Sequence, residues 1–193
     1  TVGSPERQPF PSGLYLFHRP LPFMTSPYIG AFDAYLYSIF FSTFGISVLV
    51  FRVANLVFSL LILTSAYVLI RHLQGPLAAV LTSVFLAADV EFLLHAPTNY
   101  GPVLVQMLCA ILSVFFLMMW MQFTRERHLL GAAFLLGLGL TEKLTFVLFI
   151  GGLTISLGVV YAKPLCALLR NWKVLWAVPA FLFGCLPIVI YTA

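Results

Sequence analysis

Long apolar runs, broken by only a few charged residues, constrain this chain more than any other feature. The runs span residues 46–70, 76–94, 102–123, 129–161 and 174–193. Hydrophobic residues make up 62% of the chain and charged residues only 8%, a composition unlike that of soluble domains. Because a helix needs about 20 apolar residues to cross a bilayer, the sequence predicts an all-α, polytopic bundle of transmembrane helices.

The basic residues indicate how these helices are oriented. Three clusters lie in short connections between the runs, at residues 71–72, 125–128 and 163–173. Positive residues in short loops mark the cytoplasmic side of a membrane, so we place all three clusters on that side. The net charge of +4 then favours contact with anionic lipid headgroups rather than nucleic-acid binding.

This placement requires the chain to cross to the outer side and return between successive clusters. Residues 76–95 and 102–124 make the first passage. The second passage, residues 129–161, is short for two spans and contains the charged pair Glu142-Lys143. We therefore expect about six membrane-embedded helices, with one short helix or a turn that dips into the membrane at this pair.

The first 45 residues form a separate segment. Residues 1–27 contain six prolines and no apolar run long enough to span, and they lack a basic start and an initiator methionine, so we do not expect a signal peptide here. We expect the chain to begin inside a larger protein. Residues 28–44 are apolar, but a span there would reverse the side of every later loop. We therefore expect an outer juxtamembrane helix, and we divide the chain into an outer segment, 1–45, and a helix bundle, 46–193.

Five of the six acidic residues, Glu6 among them, fall on the predicted outer side. Ionisable groups at a membrane boundary are costly unless they are paired or face water, so this clustering predicts a site. Its members are Asp33, Asp89, Glu91 and Glu142, with Arg52, Asn99 and Lys143. Three alternatives stay open. In the first, Asp89 and Glu91 are solvated loop charges. In the second, Arg52 reaches lipid headgroups. In the third, Lys143 pairs with Glu142 or Glu91.

The cysteines, histidines and glycines indicate mainly structural roles. The three cysteines lack metal-site spacing and are expected to pack as small hydrophobic residues; they are Cys109, Cys166 and Cys185. The four histidines are scattered singly, which argues against a zinc site, and only His95 is a candidate for contact with a ligand. Small residues permit close helix packing, which we expect at Gly131, Gly137, Gly139, Gly151 and Gly152.

Several short motifs, taken in order, resemble those of GT-C glycosyltransferases that use polyprenyl-phosphate sugars. They are Pro27-Tyr-Ile-Gly-Ala-Phe-Asp-Ala-Tyr-Leu36, Phe44-Gly-Ile-Ser47, Arg52-Val-Ala-Asn-Leu56, Arg71-His-Leu-Gln-Gly75, Asn99-Tyr-Gly-Pro102 and Gly137-Leu-Gly-Leu-Thr-Glu-Lys143. The protein mannosyltransferase and aminoarabinose transferase group is the most similar. The resemblance covers nearly the whole chain and implies a GT-C-like bundle.

The chain also departs from that pattern. Members of the family carry their main catalytic Asp, often within an Asp-Glu pair, in the first outer loop after the first span, and this sequence has no such pair. Asn99 stands where many relatives carry Asp, and an amide cannot act as a base. We therefore expect the N-terminal portion of such an enzyme without its first span, which leaves open whether the chain is active alone.

The resemblance implies transfer of a sugar from a polyprenyl-phosphate donor to an acceptor on the outer, periplasmic or lumenal side. An inverting displacement needs a carboxylate base and positive charge at the leaving phosphate. The candidate carboxylates are Asp33, Asp89 and Glu91, which are equally suited to ligate Mg²⁺ or Mn²⁺. Arg52 and Lys143 are the candidate phosphate-binding cations. Further lining residues are His95, Asn99, Tyr100 and Glu142.

Two other functions stay open from the sequence. One is a non-catalytic integral subunit of a larger membrane complex, which the missing Asp-Glu pair favours. The other is a transporter fragment, in which a helix broken at residues 141–143 lines a substrate path. An upstream span with an Asp-Glu pair, and further downstream spans in the full-length gene, would separate the transferase from both. In every case the partners include membrane lipids.

Overall fold

A computed structural model describes residues 29–98, 101–161 and 172–192 of the chain, together with the backbone of short strands that precede them. Two antiparallel hairpins come first. Strand β1 (Gly13–Leu16) pairs with β2 (Arg19–Pro22), and β3 (Met24–Ser26) pairs with β4 (Ile29–Gly30). All later elements are helices, which confirms the helical membrane bundle; the hairpins are an addition that the sequence did not predict.

The helices follow the apolar runs closely. They are α1 (Phe32–Phe44), α2 (Val48–Gln74), α3 (Pro76–Ala88), α4 (Val90–Thr98), α5 (Val103–Phe123), α6 (Glu126–Glu142), α7 (Phe146–Val160), a 3₁₀ turn (Trp172–Trp176), α8 (Ala177–Gly184) and α9 (Leu186–Thr192). Within the described residues, α2 and α5 are long and apolar enough to cross a membrane, and α3 with α4 forms a third candidate bent by 66°.

The second passage is built from two short helices, as its length predicts. Helix α6 has 17 residues and α7 has 15, both below the length of about 20 that a full span needs. Lys143 and the turn after it separate them. Glu142 therefore ends a helix within the bundle instead of lying in a long external loop.

Local sequence signals explain the tight connection between α2 and α3. Gly75 adopts a φ of 94°, a left-handed conformation that glycine tolerates best, and its N–H closes the last turn of α2. Pro76 begins α3, where the first helical position needs no donor. The chain can therefore reverse direction at this point with few connecting residues.

The first two basic clusters lie at one end of the bundle. His72 at the end of α2 forms a 2.7 Å side-chain hydrogen bond with Gln122 at the end of α5. Arg125 and Arg127 follow directly, so the α2–α3 and α5–α6 connections are neighbours, as the charge pattern predicts. We call residues 71–75 and 122–128 the basic end. The third cluster lies outside the described residues, apart from the backbone of Lys173.

Glycines bring α6 and α8 into close contact. A Cβ atom at Gly137 would overlap the carbonyl oxygen of Phe181, and one at Gly184 would overlap that of Phe134. A Cβ at Gly139 would meet the ring of Phe146. Close packing is therefore confirmed for these α6 glycines. The same prediction is wrong for Gly151 and Gly152 of α7, whose Cβ positions meet nothing within 4 Å of the described atoms.

The outer faces of the helices are apolar, as lipid contact requires. Phe85 of α3 is 73% exposed, and Leu148 and Val159 of α7 are 77% and 78% exposed. Large contiguous apolar surfaces are rare on soluble monomers. The chain is an integral membrane protein.

Cys109 and Cys185 are buried as small hydrophobic residues, as predicted.

Candidate functional site

Glu142 joins the end of α6 to the start of α1. Its side chain is fully buried. Oε1 accepts a hydrogen bond from the N–H of Phe32 at 2.9 Å, and Oε2 accepts one from the N–H of Asp33 at 3.3 Å. A negative charge at a helix N-terminus is favourable, because the first N–H groups have no helical partners and carry partial positive charge.

Backbone contacts hold the same two segments together. Ile29 and Lys143 form an antiparallel β-bridge. At Gly30, an added Cβ would lie 2.7 Å from the carbonyl oxygen of Thr141 and 2.8 Å from Oε1 of Glu142. Only glycine fits at this distance. We call residues 29–33 and 141–143 the α1–α6 junction.

The α1–α6 junction is tied to its neighbours on two further sides. The hydroxyl oxygen of Thr141 lies 3.1 Å from two carbonyl oxygens, those of Gly137 and Gly184, and its O–H donates to them. The side-chain amide of Gln106, in the first turn of α5, donates to the carbonyl oxygen of Lys143 at 3.4 Å. The junction is thus held by α5 and α8, two of the helices that contact α6.

A shallow cavity opens beside the junction. Its volume is about 250 Å³, and it is lined by Gln106, Met107, Ala110, Thr145, Phe146 and Phe149. Gln106 and Thr145 supply polar atoms, and the rest of the lining is apolar. A cavity with this mixture suits the boundary between a polar group and a hydrocarbon chain.

Asp33 and Lys143 are the junction residues whose ionisable groups could take part in a reaction. Burial raises the pKa of Asp33 above the ordinary aspartate value, and a hydrogen bond from the N–H of Ala34 partly offsets that rise. Lys143 is partly buried. In the described part of the chain no carboxylate lies within ion-pairing distance of its ammonium group, so the local ion pair with Glu142 or Glu91 is not formed there.

Three other predicted residues belong to α2, the α3–α4 break and α4 rather than to the junction. Asp89, at the break between α3 and α4, accepts a 3.0 Å hydrogen bond from the N–H of Phe92 and so caps α4. Arg52 and Glu91 are exposed. Among the described residues, none of these three side chains bonds to a junction residue. Asp89 therefore has a structural role that its sequence position alone did not reveal.

The remaining candidates lie near the end of α4. His95 is partly buried, and its Nδ1 atom is buried with no hydrogen-bond partner among the described residues. Asn99 and Tyr100 lie outside the described residues. Across the described ranges, no group of three or more His, Cys, Asp or Glu side chains is arranged to hold a metal ion.

The sequence reasoning missed the buried amide of Asn55. It is fully buried in α2, accepts a hydrogen bond from the hydroxyl of Tyr37 in α1, and donates to the carbonyl oxygen of Pro97 in α4 at 3.4 Å. Buried amides need such partners. The signal was an isolated amide within an apolar run, one turn after Arg52.

The family model for dolichyl-phosphate-mannose-protein mannosyltransferase matches residues 30–191, which is most of the chain and includes the junction from Gly30 onwards. The chain belongs to this family. This match confirms the GT-C resemblance. The protein is a membrane glycosyltransferase of the type that uses polyprenyl-phosphate sugar donors. No curated protein and no solved structure shows significant similarity to the chain.

Proposed function

We propose that this chain forms a donor-binding and catalytic part of a transferase that moves a sugar from a polyprenyl phosphate to an acceptor at the outer, periplasmic or lumenal face. The observation that supports the proposal is the α1–α6 junction, which holds the backbone segments of Asp33 and Lys143 side by side within the region that matches the mannosyltransferase family.

Lys143 is proposed to hold the donor phosphate. Lys143 is partly buried and, among the described residues, lacks a carboxylate partner. A cation at this position would stabilise the negative charge that grows on a leaving phosphate. The adjacent cavity offers an apolar surface for the first carbons of the lipid. Arg52 is a second candidate cation for the same phosphate.

Asp33 is proposed to act as the base. In an inverting displacement the acceptor oxygen attacks the anomeric carbon, and the bond from that carbon to the phosphate oxygen breaks. The phosphate leaves with the electron pair, next to Lys143. The acceptor proton passes to a carboxylate within hydrogen-bond reach. Asp33 fits this role better than Asp89, because an oxygen of Asp89 already caps α4. Glu91 and His95 of α4 are proposed for the acceptor side.

Lys143→Ala tests the proposal directly. In the full-length protein, we expect the variant to bind a polyprenyl-phosphate sugar about tenfold to a hundredfold more weakly, because a charge-assisted contact is worth roughly 1.5–3 kcal/mol. Lys143→Arg should retain part of the affinity, since the charge survives while the geometry changes. Affinity is measured on detergent-purified protein together with thermal stability.

Arg125→Ala, which removes a cation at the basic end, is the matched control and should leave donor affinity unchanged. Equal donor affinity in wild type and Lys143→Ala would remove Lys143 from the site. Absence of donor binding by the wild-type protein would overturn the transferase proposal as a whole and favour a non-catalytic membrane subunit.

A further inference from the structure

The proposed reaction uses Asp33 and Lys143 but leaves Glu142 without a role. Glu142 is among the largest fully buried side chains of the described protein, and both of its carboxylate oxygens accept hydrogen bonds from backbone N–H groups. An acceptor substrate could not reach a carboxylate that is buried and already occupied. Glu142 is therefore poorly placed to act as the base.

The cap that Glu142 supplies replaces a missing local one. The residue before α1 is Ala31, whose side chain cannot accept a hydrogen bond, and α1 has no side-chain cap of its own. A helix start normally obtains this bond from a nearby Ser, Thr, Asp or Asn. Here the acceptor comes from a residue 110 positions later in the sequence.

Hydrogen bonds and close packing fix the end of α6 within the bundle. Thr141 is bonded to the carbonyl oxygens of Gly137 and Gly184, so the last turn of α6 is fixed against α8. Gly30 lies so close to Thr141 and Glu142 that no larger residue fits. The start of α1 is thus located by a group that the bundle itself holds in place.

We infer that Glu142 is a positioning residue that sets the location of Asp33 for proton transfer. The inference rests on the proposed function, because it needs Asp33 to be the base. The N–H that binds Oε2 belongs to Asp33 itself, so the bond fixes the backbone from which the Asp33 carboxylate extends. Displacing a catalytic group by about 1 Å can lower a rate by about a hundredfold.

Glu142→Gln tests the inference. Glutamine keeps the size of the side chain but offers one acceptor oxygen, and its NH₂ group faces an N–H donor. We expect kcat to fall about tenfold, as loss of one charge-assisted hydrogen bond would produce. The KM for the donor should stay within about twofold, because Lys143 is retained. Glu126→Gln, an exposed carboxylate at the opposite end of α6, is the matched control.

A double variant separates positioning from general damage. If Glu142 acts through Asp33, then Glu142→Gln should lower kcat no further in an Asp33→Asn background. Additive losses would overturn the positioning role and leave the proposed function intact. Full turnover by Asp33→Asn would show that Asp33 is not the base and would overturn the positioning role, while the transferase activity itself would stand.

A structural measurement makes the test independent of turnover. Amide hydrogen exchange over residues 29–36 should be faster in Glu142→Gln than in wild type and unchanged in Glu126→Gln. Unaltered exchange would overturn the inference. If Glu142→Gln fails to fold, Gly30→Ala, which pushes the same segment away from Glu142 without changing a charge, should give the same loss of kcat and the same faster exchange. Wild-type behaviour of Gly30→Ala would count against the inference.

Discussion

At the residue scale, the polar side chains inside this bundle stabilise it by bridging helices. Asn55 joins α1, α2 and α4, and Glu142 joins α6 to α1. In an apolar interior an unpaired amide or carboxylate would be costly. Each of these residues therefore fixes the relative position of helices that are distant in sequence.

Asn55→Leu should destabilise the folded protein by about 1–3 kcal/mol, because the hydroxyl of Tyr37 and the carbonyl oxygen of Pro97 lose a buried partner. Tyr37→Phe removes one bond of the same set. The two changes should be coupled by roughly 0.6 kcal/mol, a typical value for hydrogen bonds inside membrane proteins. Unfolding in mixed micelles measures all three variants, and simple additivity would show that the two side chains do not interact.

At the element scale, the contact between α6 and α8 depends on the absence of side chains. Gly137 and Gly184 allow each helix backbone to approach the other until carbonyl oxygens lie where a Cβ would otherwise be. In lipid, where apolar helices gain little by avoiding water, close packing of this kind is a main source of association.

Gly137→Ala should therefore destabilise the bundle by about 1–3 kcal/mol, since α8 must move to admit the methyl group. Gly151→Ala in α7 is the matched control. Its Cβ meets nothing within 4 Å of the described atoms, and alanine is the better helix former by about 1 kcal/mol. We expect the control to be neutral or slightly stabilised in thermal unfolding. Equal destabilisation of both variants would show that the α6–α8 contact is not specific.

Most helices could be predicted from the sequence, because each follows from a local run of apolar residues. The close packing at Gly137 was also predictable from a short motif. The bond between Glu142 and the start of α1 was not, since it depends on the fold bringing together residues 110 positions apart. The bend at Asp89 was missed for a different reason. Two acidic residues in an apolar run, here Asp89 and Glu91, are compatible with either an interrupted helix or a continuous one.

At the scale of the whole molecule, the bundle has two chemically different ends. The basic end carries Arg71, Arg125 and Arg127, and the opposite end carries the α1–α6 junction. Helix α9 contacts strand β3, which places the end of the described chain near the junction. We propose that the basic end faces the cytoplasm and that the α1–α6 junction faces the outer side.

Single-cysteine labelling tests that orientation. After replacement of Cys109, Cys166 and Cys185, a cysteine at position 126 should react with a membrane-impermeant reagent only from the cytoplasmic side. A cysteine at position 144, where Leu144 is 49% exposed next to the junction, should react only from the outer side. Labelling of position 126 only from outside would reverse the proposed topology and move the site to the cytoplasm.

The long separation between Phe32 and Glu142 has a consequence for biosynthesis. Helix α1 emerges from the ribosome before α6, and the carboxylate that caps α1 is translated 110 residues after Phe32. At a translation rate of roughly 5–20 residues per second, Glu142 is synthesised about 5–20 s after the start of α1. During that interval Asp33 has no fixed position, so the proposed catalytic geometry can assemble only after α6 has entered the membrane.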